Sequence, residues 1–270
     1  MSNKIAILGG GNLGQSIALG LVSTGDYRAE DVIVTRRKIQ GLEELEAQGI
    51  QLSTDNADAV SQSHLVFLCV QPKQLHSLLD EIKGVLNAHQ HLLISTITGV
   101  SIDDVEAIVG ADFPIIRATP NTAIAIRESM TCMATKKASD AQVEEVKSIF
   151  DVMGRSLVIE EELMAAATVL GASGIAFALR FIRAAAQGGI EMGFDADEAQ
   201  AIAMQTCRGA ASLLIESKRH PESEIDRVTT PRGCTIAGLN EMEHNGMSSA
   251  LIKGIVASHR KIANIKDQVS

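Results

Sequence analysis

The stretch Ile5–Gly14 reads IAILGGGNLG, and its reading decides the fold. Ile5, Ala6, Ile7 and Leu8 form a short apolar run with the character of a buried strand. Gly9, Gly11 and Gly14 then give G-x-G-x-x-G, and Leu13, Ile17 and Leu21 recur at helical spacing until Gly25 offers a stop. In a strand–turn–helix setting each glycine has a task. One makes the tight turn, one admits backbone to a pyrophosphate, and one lets the helix pack on the strand. The phosphates then rest on unpaired N–H groups at the helix N-terminus. The segment therefore predicts a dinucleotide site through Gly9, Gly10, Gly11, Asn12, Leu13 and Gly14.

Composition narrows the remaining choices. The chain has 270 residues, 46% hydrophobic, enough for one large domain or two ordinary ones. A net charge of −9 speaks against nucleic acid and acidic membranes as partners. With aromatics at 3% there is no platform for stacking bases either. Cys69, Cys132, Cys207 and Cys234 are far apart and show no metal spacing, which fits reduced thiols in a cytoplasmic protein. No signal peptide is expected, because the first apolar run is short and ends in glycines. The uncharged run Leu163–Leu179 is read as a buried helix, being short for a membrane span. His89 and His91 form a lone H-x-H, read as a solvated loop, and no metal site is expected.

Beyond the first helix, apolar runs alternate with helical patterns. Strands are expected at Val32–Thr35, His64–Val70, His91–Ile97, Pro114–Ala118, Ser129–Thr135 and Ser156–Ile159. Helices are expected at 41–48, 55–61, after Pro72, at 102–109 and at 142–152. This rhythm predicts an α/β, Rossmann-type, doubly wound sheet over residues 1–160. From Glu161 onward no strand signal remains, so residues 161–270 are expected to form an all-α domain. Asp195 and Glu198 make a capping box, Pro221 opens a short helix, and Thr235 is expected to cap another that stops at Asn245-Gly246.

Three loops draw the chemistry. After the second strand, where readers of NAD carry an acid, this chain has Arg36 and Arg37. Guanidinium groups clamp a 2′-phosphate, so NADPH is expected, with NADH the weaker alternative. Val70-Gln71-Pro72 and Thr119-Pro120-Asn121 leave the C-terminal ends of strands, the edge at which open α/β sheets bind ligands. Val70, Gln71, Pro72, Pro120 and Asn121, with Asn56, complete the expected cofactor set. Val228–Thr235 is a hydroxyl-rich loop entering a helix, able to receive a carboxylate or to serve as a plain N-cap turn.

Several of these stretches resemble motifs of the pyrroline-5-carboxylate reductase family, in order and over nearly the whole length. Gly9–Gly14 resembles G-x-G-N-M-A/G, and Val70–Pro72 resembles V-K-P. Arg117–Thr122 resembles R-x-M-P-N-T, Gly171–Phe177 resembles G-x-S-G-P-A-Y, and Val228–Ile236 resembles V-T-S-P-G-G-T-T-I. Gln71, Ile175, Phe177, Arg232 and Cys234 depart from those motifs. The resemblance implies reduction of the cyclic imine 1-pyrroline-5-carboxylate to L-proline by NADPH. It implies a homodimer with interlocked helical domains, joined into larger rings in some members. It places the catalytic hydroxyl at Thr235, with Thr230, Gly233 and Cys234 beside the substrate. The competing readings are another NAD(P)-dependent imine or β-hydroxyacid oxidoreductase on the same two-domain plan, and an inactive nucleotide-binding scaffold.

Overall fold

A computed structural model describes residues 4–23, 25 and 27–266. The chain divides into two compact units, one formed by residues up to Ser173 together with Ser258 onward, the other by Gly174–Ala257.

The first unit is built on an eight-stranded sheet. Its strands are β1 (Ile5–Leu8), β2 (Val32–Thr35), β3 (Gln51–Ser53), β4 (Leu65–Leu68), β5 (Leu92–Ser95), β6 (Ile115–Thr119), β7 (Ser129–Thr135) and β8 (Gly154–Val158). They lie in the order β3-β2-β1-β4-β5-β6-β7-β8. The first six strands in this order are parallel, the nucleotide-binding order with its reversal between β1 and β4. Ile5–Leu8 and Leu65–Leu68 are buried at every position, as strands covered on both faces must be. The helices are α1 (Asn12–Ser23), α2 (Glu43–Ala47), α3 (Asn56–Ser61), α4 (Leu75–Ile82), α5 (Ile102–Val109), α6 (Asp140–Asp151) and α7 (Met164–Ala167). Two apolar layers result, one under α1 and α6 with Phe67 and Phe150 edge to face, the other under α3, α4 and α5.

One expectation for this unit is corrected, and one feature of the doubly wound sheet was not foreseen: β7 runs antiparallel to β6. Only a single short helical turn, Thr122–Ile126, joins them, too little for the crossover that a parallel pair needs. The H-x-H pair is also divided. His89 is exposed in the loop, whereas His91 is buried and its Nδ1 accepts the Asn87 N–H at 2.9 Å. Burial holds the His91 ring below its ordinary pKa, so it stays neutral.

The segment Glu161–Ser173 follows the last strand but belongs to the sheet unit, beyond the boundary expected at residue 160. Glu161 explains its attachment. Its carboxylate accepts the Ile102 N–H at 2.7 Å, an orphan donor of the first turn of α5. It also faces the buried Arg117 guanidinium and Lys136, each at 3.5 Å. Burial lowers the Arg117 pKa while Glu161 raises it.

The second unit is all-α, with α8 (Gly174–Glu191), α9 (Ala196–Ser217), α10 (Pro221–Val228) and α11 (Cys234–His244); α12 (Met247–Lys266) begins there and ends in the first unit. Asp195 opens α9 with the expected box, its N–H donating to Glu198 at 3.4 Å. Gly189 lets α8 and α9 approach, since a Cβ there would stand 2.9 Å from Ala199 Cβ. The reading of Leu163–Leu179 as buried helix is corrected. Met164, Ala167, Thr168 and Val169 are buried, but Leu170 is 64% exposed and Leu179 59%. Phe181, Ile190, Ile202 and Leu213 extend this exposure along α8 and α9, with Met192 in the turn between them. The helical run Glu161–Glu191 is long and apolar enough to cross a membrane, by length and composition only.

Removing the Glu161 carboxylate should leave Arg117 buried without its counter-charge. Glu161→Ala is expected to lower the urea-unfolding free energy by about 3 kcal/mol, the usual cost of breaking a buried pair. A loss under about 1 kcal/mol would reduce it to the level of a surface pair.

Candidate functional site

The glycine loop is strapped down by one strand end. Gly9 and Gly10 both donate N–H bonds to the Thr35 carbonyl, at 3.1 and 2.8 Å. Gly9 has φ 116° and passes so close to the Cys69 carbonyl that a Cβ would collide with it. Gly14 lies against the Gly9 carbonyl, and a Cβ there would collide too. Gly11 is different, for nothing stands within 4 Å of its Cβ direction, so the loop is open on that side. The first helical bond of α1 runs from Gln15 N–H to the Gly11 carbonyl. The N–H groups of Asn12, Leu13 and Gly14 therefore head the helix without helical partners, and they form an anion cradle. Gly10 shapes the loop, since its N–H is taken by Thr35.

Thr35 is the residue that the sequence reading passed over. It is buried, and its hydroxyl pairs with Asn56 Oδ1 at 2.5 Å while Asn56 Nδ2 donates to Glu81 at 3.0 Å. Asn56 is thus held at the end of β2, with its amide already engaged. A threonine closing an apolar strand ahead of basic residues was the available signal.

Arg36 and Arg37 are exposed beyond β2. Arg36 leans on the Gln40 carbonyl at 3.4 Å and lies near Glu43. Arg37, Lys38, Ile39, Gln40 and Thr54 line an open cavity of about 470 Å³ at this end of the sheet. Lys38 thus joins Arg37 at this cavity, and Arg36 is not among the residues that line it.

Of the other two edge loops, the one after β4 falls beside the glycines, and the one after β6 lies two strands farther along the sheet. Cys69 and Val70 lie against Gly9, and Gln71 caps the turn through Pro72, its N–H donating to Gln74 at 3.2 Å. Desolvation pushes the Cys69 thiol up to about 12, which makes it an inert thiol. Pro120 and Asn121 leave β6, both buried. Asn121 is fully committed inside the unit. Its amide donates to the Gly171 carbonyl at 3.0 Å, its Oδ1 accepts the Ala123 N–H, and its own N–H goes to Ser129.

The Val228–Thr235 loop belongs to the second unit. Thr235 does not cap α11 as expected; Gly233 does, in extended conformation, with Thr235 inside the first turn. The cause is the preceding turn. The Gly233 N–H donates to the Thr230 carbonyl at 2.9 Å, with Pro231 and Arg232 between. Any Cβ on Gly233 would collide with the Thr230 side chain. Pro at the second position and a positive φ at the third define a type II turn, which asks for glycine at the third. Arg232 occupies it with φ 62°. The turn also decides which backbone donors remain at the helix head. Because the Gly233 N–H is used in the turn, the N–H groups left at the head of α11 are those of Cys234, Thr235 and Ile236.

Comparison with known proteins agrees with both units. Residues 161–265 match the family described as pyrroline-5-carboxylate reductase dimerisation, and residues 4–99 match NADP oxidoreductase, coenzyme F420-dependent. Pyrroline-5-carboxylate reductase 1 of Dictyostelium discoideum is 49% identical over 98% of this chain, which spans only 50% of that relative's length. Pyrroline-5-carboxylate reductase 2 of the same organism is 44% identical, over 96% of this chain and 92% of the relative. Among solved structures, the Streptococcus pyogenes 1-pyrroline-5-carboxylate reductase is 28% identical with TM-score 0.85, covering 97% of this chain and 98% of that one. The Plasmodium falciparum pyrroline carboxylate reductase, solved with NADP bound, shares the fold at TM-score 0.90 and 22% identity, over 98% and 99%.

The turn makes a paired prediction. Arg232→Gly relieves a left-handed residue and should raise stability by about 0.5–1 kcal/mol, the strain relief being offset by glycine's larger unfolded-state entropy. Gly233→Ala should lower it by about 2 kcal/mol, because the backbone must shift. Thermal unfolding of the two variants beside the parent checks both signs.

Proposed function

Since the chain belongs to the pyrroline-5-carboxylate reductase family, we propose that it reduces 1-pyrroline-5-carboxylate to L-proline with NADPH, the last step of proline biosynthesis. The observation that carries this reading is the juxtaposition of an open, glycine-lined cradle at the head of α1 with a cationic cavity at the end of β2. The residues fit a phosphorylated dinucleotide. The cradle admits backbone-close phosphates where Gly11 is open, and Arg37 and Lys38 stand where a 2′-phosphate would require cations.

When bound, the cofactor would supply a hydride to the carbon of the C=N bond. The protein's residues would do the rest. The N–H groups of Asn12, Leu13 and Gly14 would hold the pyrophosphate, with Thr35 keeping the loop in shape through the two bonds its carbonyl accepts. At the head of α11 the N–H groups of Cys234 and Thr235 receive the substrate carboxylate. The Thr235 hydroxyl would donate to the lone pair of the imine nitrogen; as hydride adds to the carbon, that proton passes to nitrogen and solvent returns one to the hydroxyl. Hydrogen bonding at nitrogen makes the carbon more electrophilic, so positioning and a weak donor suffice. The Cys234 thiol, exposed in the same turn, takes no covalent part.

The exposed apolar faces of α8 and α9 support a homodimer, because a surface of that size is covered in a stable protein. The four free cysteines support a reducing, cytoplasmic setting.

An assay following oxidation of the reduced nicotinamide with pyrroline-5-carboxylate tests the reading directly. NADPH should be preferred to NADH roughly tenfold to a hundredfold in kcat/KM, the worth of charge-assisted hydrogen bonds. Arg37→Ala should erase most of that preference while leaving the NADH reaction unchanged. Equal use of both cofactors by the parent enzyme would remove the NADPH assignment, and no turnover would remove the function.

Light scattering at micromolar concentration is expected to give the mass of a dimer or of a multiple of dimers. A stable monomer would leave the apolar faces of α8 and α9 unexplained.

A further inference from the structure

A half-buried hydroxyl and a buried one meet at the end of β6 and take no part in the chemistry described above. Thr119 is the last residue of β6, and Thr168 opens the wide helical turn Thr168–Ser173, a π-helical segment between α7 and α8. Their Oγ1 atoms lie 3.2 Å apart, and Thr168 Oγ1 also lies 2.8 Å from the Met164 carbonyl. A hydroxyl has one proton, and a carbonyl can only accept. The Thr168 proton therefore goes to Met164, and Thr119 is the donor of the pair. Residues 119 and 121 point to the same side, as alternate residues of an extended chain do. The second of them, Asn121, donates its amide to the Gly171 carbonyl. The strand end thus grips the wide turn twice, once at its first residue and once three residues on. Widened turns of this kind loosen the regular helical ladder, so carbonyls there need outside donors.

The sequence makes Thr119 the informative member. The stretch Arg117–Thr122 resembles R-x-M-P-N-T, and Thr119 stands where that motif has methionine. A methionine can fill space there but cannot donate to Thr168. We propose that Thr119 is a positioning residue: through Thr168 it fixes the turn Thr168–Ser173 against the edge of the sheet that holds the cofactor loops, and so sets the rate of the proposed reduction. The rate arm of this inference rests on the reductase reading, whereas the structural arm does not.

The test uses Thr119→Val, Thr119→Ser, Thr168→Val and the double variant Thr119→Val/Thr168→Val in the full-length protein. Amide hydrogen exchange is read over residues 168–173, and steady-state kinetics with NADPH and pyrroline-5-carboxylate in parallel. Loss of one neutral hydrogen bond should speed exchange across the turn about three- to tenfold, with β1 unchanged. It should lower kcat by about the same factor and leave KM for NADPH within about twofold. Thr119→Ser should restore both, and the double variant should be no worse than Thr168→Val alone. Unchanged exchange, or additive losses, would overturn the pairing. Faster exchange and a lower melting temperature with unchanged kcat would overturn the positioning role and leave a structural bond. If the parent enzyme does not turn over this substrate, the functional reading fails, and the exchange measurements still decide whether Thr119 holds the turn.

Discussion

Everything at the cofactor edge depends on how closely two stretches of backbone approach one another. The Thr35 carbonyl takes the N–H groups of Gly9 and Gly10, and the Gly9 carbonyl fills the space where Gly14 would carry a side chain. These contacts fix where α1 begins and therefore where its unpaired N–H groups point. The sheet order puts β1 beside both β2 and β4, so the strap from Thr35 and the wall from Cys69 come from the two neighbours of one strand. The open head of α1 is thus a property of three adjacent strand ends, and the glycines supply the clearance.

The second unit obeys a different constraint. Its helices approach through small residues such as Gly189 and Ala199, which bring backbones together but bury little apolar area. The larger side chains, among them Leu179, Phe181 and Leu213, face outward. A chain with this pattern reaches a well-buried state only by association, and the match of residues 161–265 to a dimerisation family agrees with that.

Local signals were legible in the sequence, and non-local ones were not. The glycine spacing placed β1 and α1, the capping box placed α9, and Pro221 placed α10, because each rests on contacts within a few residues. The direction of β7 was hidden, since a strand's pattern is the same whichever way it runs; the short connection after Thr119 was the only clue. The burial of His91 was hidden too, as it depends on the loop amide of Asn87 folding over the ring. Thr235 was taken for a cap because hydroxyls favour that place, but the turn from Thr230 to Gly233 starts the helix two residues earlier. Arg232 read as a break in a motif, and the left-handed backbone there shows that glycine in the motif has a conformational reason as well as a spatial one.

The reversal between β6 and β7 also bears on how the sheet assembles. The entropy of closing a loop grows with its length, and only residues 120–128 separate these two strands. By contrast, β1 must wait for β4, whose first paired residue is Leu65 against Ile5. Contacts of short sequence separation form early in folding. The β6–β7 hairpin, with α6 returning β8 to its side, is therefore the natural nucleus of the sheet, and the cofactor edge at β1 is completed by strands that arrive later.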